Sequence, residues 1–141
     1  MTRIVAGSAK GRTLAVPKSG TRPTSERVRE ALFSRLDHMN VLEGAVVLDL
    51  YAGTGALGLE ALSRGAATAT LVEKASGAAR VATSNVRSTG LNARVVTADA
   101  RAYLAARSGQ VLSGEVDLVF IDPPYDIAEA DMTAVLEGLA P

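Results

Sequence analysis

The chain has 141 residues, 48% hydrophobic and 21% charged, with no cysteine and a formal net charge of zero. That suits one domain with a buried apolar core and rules out a disordered chain; without cysteine, disulfides, thiolate metal sites and a cysteine nucleophile are excluded. No apolar stretch has the length of a signal peptide or a membrane span, so a cytoplasmic protein without a membrane partner is expected.

The zero sum hides a division. Residues 1–40 carry eight Lys or Arg against three acids, and residues 41–141 carry seven against twelve. Such asymmetry suggests a basic arm for a polyanion, joined to a domain that does not itself bind one. In the arm, Arg3 to Gly7 and Arg12 to Val16 flank Ser8-Ala9-Lys10-Gly11, the pattern of a short hairpin with a glycine turn and basic Lys10 and Arg12 outward. Residues 17–23, with two prolines and Gly20, predict a linker. Thr24 or Ser25 caps a helix, Glu26 favours its first turn, and Val28, Ala31, Leu32 and Leu36 make one apolar face. Arg22, Arg27 and Arg29 surround its start as candidate phosphate-binding groups, although solvated arginines on an amphipathic helix would look the same.

From residue 45 the punctuation becomes regular. An apolar strand over 46–51 leads into Gly53-Thr54-Gly55-Ala56-Leu57-Gly58 and a helix over 56–64 that Gly65 can end in a left-handed cap. A strand over 68–73 precedes a helix over 76–89 with Val81, Ala82 and Val86 inward and Gly90 at its end. Residues 94–97 predict a third strand, followed by Asp99, Ala100 and a short helix near 101–107; residues 115–121 predict a fourth, and 128–139 a last helix. Strands alternating with helices through short connections predict an α/β fold, a Rossmann-like parallel sheet with helices on both faces. Its expected strand order is 3-2-1-4, with the fourth strand at an edge.

Ligands of such sheets bind beyond the carboxyl ends of the strands. Gly53 and Gly55 allow close approach of a ligand to the main chain, and the spacing of the three glycines fits a dinucleotide fingerprint. Asp49, an acid inside the strand, would repel a pyrophosphate and attract a cofactor bearing an amino group and a sulfonium. Glu73 stands twenty residues after Gly53, where a carboxylate reaches ribose hydroxyls. Asp99 can accept from an adenine amino group. Asp122-Pro123-Pro124-Tyr125 closes the fourth strand: the prolines stiffen the loop and aim acceptors at a planar exocyclic amine, directing its lone pair at a methyl carbon. Tyr125 can stack on an extruded base. No strong base is required, because the nitrogen loses its proton after it has become cationic.

Asp49, Gly53, Gly55, Glu73, Asp99 and Asp122 to Tyr125 together resemble the amino-methyltransferases that use S-adenosylmethionine. Arg3-Ile-Val-Ala-Gly, Gly11-Arg, Arg22-Pro-Thr24 and Arg27-Val-Arg-Glu-Ala-Leu-Phe33 narrow the resemblance to the bacterial small-subunit ribosomal RNA guanine-N2 methyltransferases, over essentially the whole chain. The resemblance implies a methyltransferase domain over residues 41–141 and an RNA-binding extension over residues 1–40. It implies S-adenosylmethionine as donor, held by Asp49, Tyr51, Gly53, Gly55, Glu73, Asp99 and Ala100, with S-adenosylhomocysteine as product and no metal. It implies a guanine of 16S ribosomal RNA as acceptor, in or near the assembled 30S subunit, with Lys10, Arg12, Arg22, Thr24, Arg27 and Arg29 on the RNA and Asp122, Pro123, Pro124 and Tyr125 at the reacting amine. A monomer is expected. Members of that family continue past the last helix into further strands, including an antiparallel hairpin, so a truncated or incompletely represented form is also expected. Two other functions share part of the pattern: methylation of an adenine or cytosine amino group, and a nicotinamide-dependent oxidoreductase, which leaves Asp49, the double proline and the basic arm unexplained. An RNA-binding module that has lost activity is a third.

Overall fold

A computed structural model describes residues 2–17, 25–107, 115–124, 127 and 129–139. Among the described residues, strand pairing in the basic arm is limited to β1 (Thr2–Arg3) and β2 (Thr13–Leu14), antiparallel with Arg3 opposite Thr13. This is much shorter than the expected hairpin. Val5 and Ala6 do not continue the ladder because their N–H groups donate to the Glu60 carboxylate, at 2.8 and 3.1 Å. The turn also seats on the same helix: Ser8 N–H donates to the Ser63 carbonyl, Ala9 N–H to Ser63 Oγ, and that hydroxyl to the Ala6 carbonyl.

Helix α1 (Glu26–His38) is capped by Ser25, whose hydroxyl accepts the Val28 N–H, as the sequence indicates. Its inward face is the expected one only at Leu32 and Leu36. Val28 is 56% exposed and Ala31 is exposed, whereas Arg29, Phe33 and Leu36 are buried. Phe33 sets this rotation by packing on Phe120 at a ring-centroid distance of 5.5 Å, with the Arg64 guanidinium over its ring. Arg29, one turn earlier, is thereby carried inward.

The main sheet has strands β3 (Val46–Leu50), β4 (Thr68–Glu73), β5 (Ala93–Thr97) and β6 (Leu118–Ile121), all parallel, in the order β5-β4-β3-β6. This is the expected order, with β6 at an edge. β6 starts later than expected because the Asp117 side chain accepts the Val46 N–H at 2.8 Å and so takes the place of a ladder bond. Helices α2 (Ala56–Ser63), α3 (Ser76–Thr89), α4 (Ala100–Ala105) and α5 (Glu129–Leu139) connect or follow the strands. Gly65 and Gly90 follow α2 and α3 at positive φ, as predicted.

Alternate residues of β3 face two cores, as the pleat requires. Val47 joins Leu59, Leu71, Phe33 and Phe120 together with Ile4 and Leu14 of the arm; Leu48 and Leu50 join Val72, Tyr103, Leu104 and Val135 on the other side. The arm is therefore packed into the same apolar core as the sheet. Among the described residues no helix is long and apolar enough to cross a membrane.

Candidate active site

In the sheet register Leu50 is opposite both Val72 and Ile121, and Glu73 is opposite Thr97. The next residues along the chain, Tyr51, Glu73 and Asp122, consequently emerge at one level of the carboxyl edge, with Asp99 just beyond β5. This is the place where α/β sheets bind ligands. β3 ends one residue earlier than expected, because Tyr51 takes a left-handed φ of 59°, uncommon for a residue with a side chain, and throws the chain into the loop.

Gly53 and Gly55 follow at φ 56° and 85°. The expected approach of a ligand at Gly55 is corrected: a Cβ there would lie 2.8 Å from the Leu71 side chain, so this glycine makes room for the core and for the left-handed turn. The loop is anchored from the side by Glu73, whose two oxygens accept the Gly53 and Ala75 N–H groups, each at 2.8 Å. These two bonds fix the carboxylate while its remaining lone pairs stay available to hydroxyl donors. Asp99 caps α4, its Oδ2 accepting the Ala102 N–H at 3.1 Å, and Ala100 is buried as the first residue of that helix. Asp122 and Pro124 are exposed and Pro123 is half-buried; the Pro124 carbonyl accepts the Ile127 N–H at 3.0 Å, closing the turn.

Asp49 departs from the expectation of an acid offered to a ligand. It is fully buried beneath the loop, with Oδ2 accepting the Gly58 N–H at 3.1 Å and Oδ1 lacking any hydrogen-bond partner. Burial pushes its carboxyl up to about 7; the Gly58 bond opposes this, and the neighbouring charges of Asp122 and Glu73 add to it. Three carboxylates thus crowd one loop, and a cation placed among them relieves their mutual repulsion. This crowding of charge is what a cofactor with positive charge would relieve, acting on Asp49 through its field and not by contact.

In the arm, Lys10, Arg12 and Arg27 are exposed, as contact with a polyanion requires. Arg29 is not, and its expected RNA contact is corrected: its side chain has no exposed surface, its guanidinium donates to the Arg3 carbonyl, and its Nε lies 3.7 Å from Glu60. Burial lowers its pKa while Glu60 holds it up. It is a strut inside the protein. Arg22, Thr24 and Tyr125 lie outside the described residues.

A protein-family model described as Conserved hypothetical protein 95 matches residues 2–140. The Ribosomal RNA small subunit methyltransferase D of Haemophilus influenzae is 36% identical, the match covering 96% of this chain and 71% of that protein. The chain belongs to the small-subunit ribosomal RNA methyltransferase D family. A relative of the same name in Escherichia coli K12 is 45% identical over 87% of this chain, which spans only 60% of that relative's length. A solved hypothetical protein of Thermus thermophilus has the same fold, with a TM-score of 0.86 at 39% identity over 98% of this chain and 78% of its own.

Two residues of this family member escape a reading of the sequence. Glu60 is the single acid in the apolar helix α2 and is fully buried, accepting from the arm and from Arg64 Nε at 2.9 Å. Asn85 sits three residues after Ala82 on the inward face of α3 and is equally buried. The available signal in each case is one polar residue at an apolar helical position.

Proposed function

We propose that the chain transfers a methyl group from S-adenosylmethionine to the N2 amino group of a guanine in 16S ribosomal RNA, within or near the assembled small subunit. The observation that carries this reading is the meeting of the glycine loop, Glu73 and Asp122-Pro-Pro at one edge of the sheet. The names and similarity of the relatives support the choice of RNA and subunit. When bound, the cofactor supplies an electrophilic methyl group on a sulfonium. Gly53 would let it lie against the main chain, with Gly55 seating the loop on the core, and Glu73 would hold the ribose from a carboxylate already fixed by two N–H groups. Asp99, Ala100 and Tyr51 would hold the rest of the nucleoside. Asp122 and the Pro123 carbonyl accept the two hydrogens of the amino group, which points its lone pair at the methyl carbon and stabilises the charge that develops on nitrogen. Tyr125 stacks on the base. Lys10, Arg12, Arg22, Thr24 and Arg27 hold the RNA backbone. A pyrophosphate on the same loop would meet three carboxylates instead.

Methyl transfer from tritiated S-adenosylmethionine to 30S subunits from cells lacking this protein, followed by nucleoside analysis, tests the proposal. Label in N2-methylguanosine is expected; label in adenosine or cytidine would replace guanine as the substrate, and no label in any nucleoside would reject methyl transfer.

The field of Asp49 adds a pH dependence. A cation on the loop favours the ionised carboxyl, so below a pKa of about 7 binding must expel a proton. Affinity for the cofactor is therefore expected to rise between about pH 6 and about pH 8, by up to roughly tenfold per unit below the pKa, and then to flatten. Calorimetry in two buffers of unlike ionisation heat measures the released proton directly. Asp49→Asn should abolish the release, and a wild-type protein that releases none would remove Asp49 from this role.

A further inference from the structure

Asn85 lies in the middle of α3, and its whole amide is engaged. Its Oδ1 accepts the Ala15 N–H at 2.7 Å, while its Nδ2 donates to the Ala15 carbonyl at 3.1 Å and to the Thr54 carbonyl at 2.9 Å. Chemistry fixes the orientation of the amide, since a peptide N–H only donates and carbonyls only accept. Ala15 follows β2 and leads into the segment that carries Arg22; Thr54 lies between the two glycines of the cofactor loop. One side chain on a third element thus bonds the basic arm to the loop.

We propose that Asn85 is a positioning residue through which RNA on the basic arm and S-adenosylmethionine on the glycine loop tighten each other's binding. The inference rests on the function proposed above. A carboxamide is planar and its bonds have fixed separations, so Ala15 cannot move relative to Thr54 without breaking one of them. Asn85 is 1% exposed, so its own amide finds no bulk water in place of a broken bond, although Ala15 is exposed. RNA that immobilises the arm therefore narrows the positions open to Thr54 and its neighbours, and the loop then loses less freedom when its ligand arrives. Linkage makes the effect reciprocal.

The test titrates S-adenosylhomocysteine, which binds without reacting, into the chain alone and into the chain saturated with 30S subunits from cells lacking this protein. In the wild type the subunit is expected to tighten the nucleoside at least about fivefold, the low end of ordinary coupling between sites. Ala15→Pro removes the N–H that Asn85 Oδ1 accepts and fixes φ at that residue, while leaving the Nδ2 bonds to the Ala15 and Thr54 carbonyls. It should keep the wild-type affinity for the nucleoside alone and lose part of the tightening, a split that simple destabilisation would not produce. Asn85→Ser cuts both links, so it also loses the tightening, and misfolding of one variant leaves the other to decide. Full tightening in either variant would overturn the inference. A wild type that binds both ligands independently would overturn the coupling and leave the proposed function standing, whereas one that binds neither would overturn both.

Discussion

Asp122→Ala is expected to lower the single-turnover rate of methyl transfer about 10²–10³-fold, the range for losing one aimed acceptor at a site of developing charge. An exocyclic amine is a poor nucleophile while its lone pair is shared with the ring. The acceptor that holds its hydrogens redirects that pair, and its charge opposes the positive charge that grows on nitrogen. Both effects exist only as the bond forms, so the loss should fall on the rate and leave cofactor affinity within severalfold of wild type. The β3 and β6 register supports the split, because Asp122 reaches the rim from the strand next to β3, while the loop is held by Glu73 from β4 on the opposite side. Asp122→Asn keeps an acceptor oxygen without the charge and should fall between the two. Rapid-quench transfer from tritiated cofactor to saturating 30S subunits measures the rate, and a wild-type rate in Asp122→Ala would remove Asp122 from the chemistry.

The site edge is legible in the sequence because each strand is a short apolar run bounded by glycine, an acid or proline. Gly53, Gly55 and Glu73 are placed by local geometry alone, and the Glu73 bond to the Gly53 N–H joins the residues that the twenty-residue spacing pairs. The arm is less legible because long-range polar contacts override its local pattern. Val5 and Ala6 look like strand residues, yet their N–H groups go to a carboxylate more than fifty residues away. Arg29 looks like one of three RNA-facing guanidiniums until Phe33 fixes the rotation of α1 and turns it inward. Asp49 carries the right charge in the right strand, but nothing in its neighbours along the chain shows that the loop closes over it. Charge and periodicity can be read locally; which charge is buried depends on the packing of distant elements.

Glu60→Ala is expected to destabilise the protein by about 3–5 kcal/mol, the usual cost of leaving a buried charge without its partner. The carboxylate accepts from Val5, Ala6 and Arg64 while Arg29 faces it at 3.7 Å, with Glu60 and Arg29 both wholly buried. Removing it strands the Arg29 guanidinium, two of whose nitrogens already lack a hydrogen-bond partner, and leaves two peptide N–H groups of the arm unpaired. Against a total stability of roughly 5–15 kcal/mol for an ordinary domain, such a loss brings the fold near its limit. Arg64 continues to Asp37 at 2.8 Å, so the acid also joins α2, which begins at the glycine loop, to α1 and to the segment that follows β1. Glu60→Gln retains an acceptor oxygen and should lose less. In Arg29→Met with Glu60→Gln no buried charge is left unpaired, so the double variant should regain part of what Glu60→Gln alone loses. Urea unfolding of the wild type and the three variants measures these differences. A loss below about 1 kcal/mol in Glu60→Ala, the value of an exposed pair, would mean that the arm is held by its apolar contacts alone.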